Sequence, residues 1–255
     1  MASSYQEIKD FQIKPGHNNR IPLLFSHRGM GTGYFENTIS SFLQSLEEGF
    51  DGIEVDVNMT KDGTLICFHD RTIKKISGHK DYIRNIKVNV MRSIPLEGNE
   101  RIPVLQEVLD AIPPSVPVIL DIKTEGIFDL KMIEPLSRVI RKNSYGPGHP
   151  LMIASFNYFF LKFLSTKFKD MDTGLIIKTD NLQLKVAMTK PFIKSYKTIY
   201  PHISIVNRHN VEKWKKLNLK IIPWGINEIS DAQKLIEYGV WGLIIDDPKL
   251  IKSFK

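Results

Sequence analysis

Short apolar runs alternate along the chain with stretches in which apolar residues recur every three or four positions. The short runs predict eight β-strands: Ile21–Ser26, Gly52–Val57, Val116–Ile122, Leu151–Ser155, Asp172–Ile177, His202–Val206, Leu219–Trp224 and Gly242–Asp246. The intervening stretches predict helices: Thr38–Glu48, Val104–Ala111, Leu130–Lys142, Tyr158–Thr166, Asn181–Thr189, Val211–Lys216, Asp231–Tyr238 and Lys249–Phe254. Eight strand–helix alternations in 255 residues are typical of an α/β (β/α)₈ TIM barrel. We therefore expect a single domain over residues 1–255.

Residues 58–102 interrupt this alternation, because they contain no convincing crossover helix. Their strongest local signal is Asp62-Gly63, which is typical of a two-residue hairpin turn. In that register Asp56 lies opposite His69, so the hairpin returns His69 to the strand that carries Asp56. The remainder of the stretch is polar with scattered apolar residues. We expect a small insertion after the second strand, at the mouth of the barrel.

Composition narrows the classes of function. The net charge is +7, which fits either a lysine-coated surface or attraction to anionic substrates or phospholipid head groups. Contact with a membrane surface therefore stays open. The basic residues are scattered and form no recognition motif, which argues against nucleic-acid binding.

Location and assembly are less constrained by the sequence. No run of 18 apolar residues predicts a transmembrane segment, and the first residues show no secretory pattern. Cys67 is the only cysteine, so an internal disulfide is excluded. We expect a cytoplasmic location, and the oligomeric state is left open.

Candidate functional residues lie near the carboxyl ends of the predicted strands, where the active site of a (β/α)₈ barrel is found. They are His27, Arg28, Glu54, Asp56, Asp121, Lys123, Trp224, Asn227 and Asp246. Ile53, Val55 and Val57 make the opposite face of the second strand apolar, so Glu54 and Asp56 should point into the barrel. Buried carboxylates need cations or hydrogen-bond donors.

The residue types within 26–70 suit metal-assisted phosphoryl chemistry. Carboxylates such as Glu54 and Asp56 are ligands for a hard cation. His27 and His69 can move protons near neutral pH, and Arg28 can bind a phosphate. Each residue alone could be structural. Their repetition at several strand ends favours a functional site.

At these residues the chain resembles the glycerophosphodiester phosphodiesterases. The motifs occur in the order of that family: His27-Arg28-Gly29, Glu36-Asn37-Thr38, Glu54-Val55-Asp56-Val57, Thr60-Lys61-Asp62-Gly63 and His69-Asp70. Weaker similarities follow downstream: Ile102-Pro103-Val104-Leu105, Ser155-Phe156-Asn157 and Trp224-Gly225-Ile226-Asn227. The similarity extends from about Phe25 to Pro248 and so covers most of the chain.

The resemblance implies roles for individual residues. It implies a divalent ion, Mg²⁺ or Ca²⁺, bound by Glu54, Asp56 and Asp121. It implies that His27 and His69 act as general acid and base. It also implies that the substrate and its phosphate are bound by Arg28, Lys123 and Trp224, and that Glu36 and Asn37 support these residues. The family usually has Glu at position 121; the shorter Asp121 could bind the ion through a water.

The implied reaction is metal-dependent hydrolysis of a small-molecule glycerophosphodiester to glycerol 3-phosphate and an alcohol. A lysophospholipase D-type or phosphatidylinositol-directed phosphodiesterase is an alternative with the same chemistry. A non-catalytic barrel that binds glycerophosphodiesters is an alternative of another class, and the presence of two histidines argues against it. The leaving alcohol, the metal, the order of the two histidines, and direct water attack versus a cyclic phosphate are left open.

Overall fold

The computed structural model describes residues 22–142, 150–179 and 182–253. Its strands are β1 (Leu23–His27), β2 (Gly52–Met59), β3 (Leu65–Cys67), β4 (Val118–Ile122), β5 (Leu151–Ser155), β6 (Asp172–Ile177), β7 (Thr198–Pro201), β8 (Lys220–Ile221) and β9 (Gly242–Ile245). Its helices are α1 (Ile39–Glu48), α2 (Lys74–Ser77), α3 (Val88–Ser93), α4 (Leu105–Ala111), α5 (Ile133–Lys142), α6 (Tyr158–Lys167), α7 (Leu182–Ala187), α8 (Lys190–Ile193), α9 (Arg208–Lys216) and α10 (Ile229–Glu237).

Eight of these strands form a parallel sheet in the order β8-β7-β6-β5-β4-β2-β1-β9, and β3 pairs antiparallel with β2. The sheet closes between β8 and β9. The Trp241 amide donates to the Ile221 carbonyl at 2.8 Å, and the Ile244 amide donates to the Pro223 carbonyl at 2.9 Å. The predicted (β/α)₈ barrel is confirmed.

Alternation along the strands divides the apolar residues between two cores. Ile53, Val55 and Val57 of β2 face the helices and belong to the large outer core. Phe25 of β1 and Ile119 of β4 belong to a second buried cluster inside the barrel. Residues two positions further along a strand share the same face. His27 and Asp121, each two residues further along, therefore also face the barrel interior, at its mouth.

Most predicted strands are found within a few residues of their predicted bounds. Ile21, Asn181 and Phe254, which bound predicted elements, lie outside the described residues. The predicted strand His202–Val206 is wrong. The strand is Thr198–Pro201, and residues 203–205 form a 3₁₀ turn that the His202 imidazole caps at the Ser204 amide. Apolar alternation in residues 202–206 imitates a strand, whereas Pro201 is tolerated because it is the last strand residue.

The hairpin after β2 is present, but its predicted register is wrong by one residue. Val57 pairs with Cys67 and Met59 with Leu65, so His69 is not opposite Asp56. The loop has three residues, because the Thr60 amide bonds to the Thr64 carbonyl and Gly63 adopts a left-handed φ of 78°. A three-residue loop with a left-handed glycine is the next most common hairpin connection after the two-residue turn.

The rest of the insertion, residues 71–102, contains α2, α3 and short 3₁₀ turns. Together with Phe68, it forms a small apolar core in which Ile83, Met91 and Ile102 are also buried. This core holds the insertion together. No helix in the described part of the chain is both long and apolar enough to span a bilayer. A single domain over residues 1–255 stays a prediction, since residues 1–21 lie outside the described part.

Candidate active site

Strand register brings the predicted acids and His27 to one level of the barrel. His27 at the end of β1 pairs with Glu54 of β2, and Asp56 pairs with Asp121 of β4. Paired residues on neighbouring strands lie about 5 Å apart. Because β1, β2 and β4 are adjacent in the sheet, the four side chains converge at the mouth.

The three carboxylates form a buried cluster. Glu54, Asp56 and Asp121 each offer an oxygen, and these oxygens all lie within 4.8 Å of one another. Glu54 Oε2, Asp56 Oδ1 and Asp121 Oδ1 are buried without a hydrogen-bond partner. Asp56 Oδ1 does lie 2.6 Å from Lys123 Nζ, but outside hydrogen-bond geometry. Buried polar atoms normally have hydrogen-bond partners, so this set of carboxylate oxygens could hold a metal ion.

Two cations only partly offset the charge of this cluster. Lys123 Nζ contacts both Asp56 and Asp121, and Arg28 Nε lies 2.9 Å from Asp56 Oδ2. Burial and the neighbouring charge of Asp56 raise the pKa of Glu54 to about 8. Burial also raises the pKa of Asp121. A divalent ion would relieve both effects, so the residues fit a metal site.

Asp56 is the carboxylate of the three whose pKa is lowered. Burial opposes its charge, but Lys123, Arg28 and His69 together hold its pKa below the usual range. Asn37 also secures it, because its Nδ2 donates to Asp56 Oδ2 at 2.9 Å while its Oδ1 accepts from the Asp56 amide at 3.0 Å. The predicted supporting residue Asn37 therefore positions this acid.

His27 is held by Asp246, which directly follows β9. Its Nδ1 lies 2.6 Å from Asp246 Oδ1, and its Nε2 lies 3.8 Å from Glu54 Oε2. Since a carboxylate accepts, Nδ1 carries the proton, and Nε2 accepts from Arg28 Nε at 3.1 Å. Burial would lower the pKa of His27, but the hydrogen bond to Asp246 and the charge of Glu54 outweigh it and raise this pKa.

His69 reaches the site from the insertion despite the shifted register. It is near enough to Asp56 for its charge to lower the pKa of that carboxyl. Its Nδ1 lies 2.7 Å from Asp70 Oδ1. The buried Asn58 amide donates to the carbonyls of Phe68 at 2.7 Å and of Asp70 at 3.2 Å, and so fixes the chain that carries His69.

The remaining predicted residues lie further out. Glu36 accepts from Lys75 Nζ at 2.7 Å and lies 3.6 Å from Arg28 Nη1, so it supports Arg28. Trp224 follows β8, three strands from β2 around the closed sheet. Its Nε1 donates to the Tyr200 carbonyl at 3.1 Å, and its ring packs edge-on against Phe156. Trp224 therefore lines another part of the mouth, away from the acids.

Sequence reasoning did not assign roles to two residues that position the histidines. The sequence makes Asp246 a candidate functional residue at a strand end but gives it no role, because its contact with His27 depends on closure of the barrel. Asn58 continues the spacing of two residues set by Glu54 and Asp56, which was a usable signal. Its hydrogen bonds to backbone carbonyls could not be predicted without knowing the path of the insertion.

Comparison with known proteins agrees with this geometry. A glycerophosphodiester phosphodiesterase of Caldanaerobacter subterraneus subsp. tengcongensis is 28% identical over 90% of this chain and 96% of its own. A phosphodiesterase structure from Oleispira antarctica, in complex with the product sn-glycerol-3-phosphate, has a TM-score of 0.78 and 23% identity, covering 91% of this chain and 96% of its own.

A glycerophosphodiester phosphodiesterase structure from Thermotoga maritima has a TM-score of 0.74 and 22% identity, covering 93% of this chain and 100% of its own. At these identities the two structures support the barrel fold. The model of the glycerophosphoryl diester phosphodiesterase family matches residues 27–250, which is most of the chain and includes every candidate site residue. This chain therefore belongs to the glycerophosphoryl diester phosphodiesterase family.

Proposed function

We propose that this enzyme hydrolyses glycerophosphodiesters to glycerol 3-phosphate and an alcohol, with a divalent cation bound by Glu54, Asp56 and Asp121. The observation that carries the proposal is the set of three buried carboxylate oxygens without hydrogen-bond partners. The family match and the product bound to the Oleispira antarctica phosphodiesterase support the substrate class.

The carboxylates would hold the ion through hard oxygen ligands, which suit Mg²⁺ and Ca²⁺ alike. When bound, the ion would polarise a phosphoryl oxygen and offset charge in the transition state. Arg28 and Lys123 flank the same acids and are placed to bind the phosphate oxygens of the substrate. The short side chain of Asp121 reaches the cluster, so it fits a ligand role with or without a bridging water.

His27 and His69 would divide the proton transfers. Asp246 occupies Nδ1 of His27, so Nε2 is the nitrogen that exchanges a proton with the substrate. Asp70 makes the corresponding contact with Nδ1 of His69. One imidazole would accept a proton from the attacking hydroxyl, and the other would protonate the leaving alkoxide.

The central assay measures two products from two substrates. Purified protein is incubated with glycerophosphocholine or with glycerol 3-phosphate, in Mg²⁺, in Ca²⁺ and after chelation. We expect glycerol 3-phosphate to be released from the diester only when a divalent ion is present. We expect no inorganic phosphate from glycerol 3-phosphate, because the site offers one carboxylate cluster for one ion. Comparable release of inorganic phosphate would replace this proposal with a phosphatase, and full activity after chelation would remove the metal from it.

Two additions test the remaining alternatives. Lysophosphatidylcholine in the same panel detects lysophospholipase D activity, and glycerophosphoinositol detects a preference for inositol. Detection of a cyclic glycerophosphate during turnover identifies attack by the glycerol hydroxyl of the substrate. Its absence in quenched samples supports direct attack by water.

A further inference from the structure

A cleft opens between the insertion and the loop that joins β4 to α5. Its volume is about 350 Å³, and Lys123 forms part of its lining. Lys123 Nζ also contacts Asp56 and Asp121, so the cleft begins beside the acidic cluster. The insertion contributes Arg71 and Arg84 to the opposite wall. We call this space the cationic cleft.

The charges that line the cationic cleft do not cancel. Arg84 pairs with Glu125, and Lys123 is engaged by the buried acids. Arg71 donates to the neutral Thr124 carbonyl at 2.9 Å, which leaves its charge uncompensated. Lys61 and Lys131 also line the cleft, and neither joins an ion pair found within residues 22–142, 150–179 and 182–253.

The acidic residues of the cleft are already engaged. Glu125 contacts Arg84. Asp129 Oδ2 accepts from the Glu125 amide at 3.0 Å, and Asp129 Oδ1 accepts from the Lys131 amide at 3.2 Å, so its carboxylate holds the loop together. Three cationic side chains, those of Lys61, Arg71 and Lys131, therefore line the cleft without an ion pair in the described residues. The carboxylate that opposes them is that of Asp129, which backbone amides already hold.

We propose that the cationic cleft binds the leaving alcohol of the substrate and favours alcohols that carry an anionic group, either a phosphomonoester or a carboxylate. This inference rests on the proposed function above. Glycerol is neutral and gains nothing from Lys61, Arg71 or Lys131. An anionic group on the leaving alcohol would gain the attraction of these three cations while Lys123 binds the scissile phosphate.

Two pairs of substrates isolate the anionic group. Glycerophosphoinositol 4-phosphate differs from glycerophosphoinositol by one phosphate, and glycerophosphoserine differs from glycerophosphoethanolamine by one carboxylate. For each pair, the readout is the ratio of kcat/KM for the more anionic substrate to that for its partner. We expect a ratio of about 5 or more for at least one pair, because several partly exposed cations act together.

Variants test whether the cleft produces this ratio. Lys61→Gln and Lys131→Gln should each lower it about 2–5-fold, and the double variant should lower it further. Lys213→Gln is the matched control, because this exposed lysine lies on α9, away from the cleft. Raising NaCl from about 50 mM to about 300 mM should reduce the ratio in the unmodified enzyme, since exposed charges are screened.

The outcomes separate this inference from the proposed function. A ratio that responds in the phosphate pair identifies a phosphorylated alcohol, and one that responds in the serine pair identifies a carboxylate. If all four diesters are hydrolysed with ratios near one, or if the lysine variants leave a high ratio unchanged, the cleft proposal is overturned and the hydrolase remains. If no diester is hydrolysed, both proposals fail.

Discussion

Asp246 binds one nitrogen of the His27 ring and so determines which nitrogen faces the acids. The distance of 2.6 Å indicates a strong charge-assisted hydrogen bond. Asp246 contacts His27, through which it would act, so we regard it as a positioning residue. Its contribution can be separated from that of His27 itself.

We predict that His27→Ala lowers kcat by about 10²–10⁴-fold and that Asp246→Asn lowers it by about 10–100-fold. Asp246 raises the pKa of His27, so its removal should move the limb of the kcat/KM pH profile that reports His27 to lower pH. The measurement is a pH profile for each variant. Asp247→Asn is the control, because the side chain of this exposed neighbour accepts from the Lys249 amide and not from His27. An unmoved limb in Asp246→Asn would contradict the positioning role.

Asn58 positions His69, as Asp246 positions His27, but it acts through hydrogen bonds to backbone carbonyls. We predict that Asn58→Ala lowers kcat about 10-fold, because the carbonyls of Phe68 and Asp70 lose their common donor. The same change should cost about 1–3 kcal/mol in the free energy of unfolding, since it leaves buried acceptors unpaired. Kinetics and urea unfolding measure the two effects. A variant that loses stability but keeps the kcat of the unmodified enzyme would restrict Asn58 to a structural role.

At the scale of elements, the sequence predicted most strands because apolar runs flanked by helical periodicity are a strong local signal. It failed at β7, where His202–Val206 alternates like a strand but follows the end of one. The predicted register of the hairpin was also wrong by one residue, because Asp62-Gly63 fits both a two-residue and a three-residue loop. The convergence of Glu54, Asp56 and Asp121 was predictable from strand ends alone. The contacts of Asp246 and Asn58 were not, since they depend on barrel closure and on the path of the insertion.

Two glycines allow the cost of a left-handed backbone conformation to be compared with the cost of a steric clash in the core. Gly63 in the hairpin has a left-handed φ of 78°, and an added Cβ would meet no atom within 4 Å. Gly174 in β6 has ordinary backbone, but its Cβ would lie 2.3 Å from Tyr200 Cε2. We predict that Gly63→Ala costs about 1 kcal/mol in the free energy of unfolding.

Gly174→Ala should cost more, about 2–3 kcal/mol, because the Tyr200 ring is fully buried and cannot move freely. Urea unfolding of the two variants gives both values. Equal costs would show that the barrel interior adjusts to the extra methyl group as easily as the exposed turn does.

At the scale of the whole molecule, the buried acids link stability to pH. Without an ion, burial and Asp56 raise the pKa of Glu54 from 4.5 to about 8, so the folded protein holds a proton that the unfolded chain releases. This contribution to stability is complete below about pH 4.5 and is lost as the pH rises through about 8. The raised pKa of His27 acts in the same direction.

We therefore predict that the Tm of the metal-free protein falls between about pH 5 and about pH 8, and that saturating Mg²⁺ or Ca²⁺ raises the Tm most at the alkaline end. Scanning calorimetry across this range, with and without the ion, measures both effects. Glu54→Gln is the control, because it removes one of the titrating groups and should reduce the slope of the metal-free curve. A metal-free Tm that rises over this range would contradict the assignment.

The pairing of His27 with Glu54 and of Asp56 with Asp121 has a further consequence for how the chain can change. The site depends on which face of its strand each functional side chain occupies. That face alternates from one strand residue to the next. Deleting one residue within β2 before Glu54 would turn the acids toward the helices and bring Val55 and Val57 to the mouth, with every acidic residue still present in the sequence. Deleting two would restore their parity. In these strands, lineages should therefore tolerate substitutions more readily than single-residue insertions or deletions.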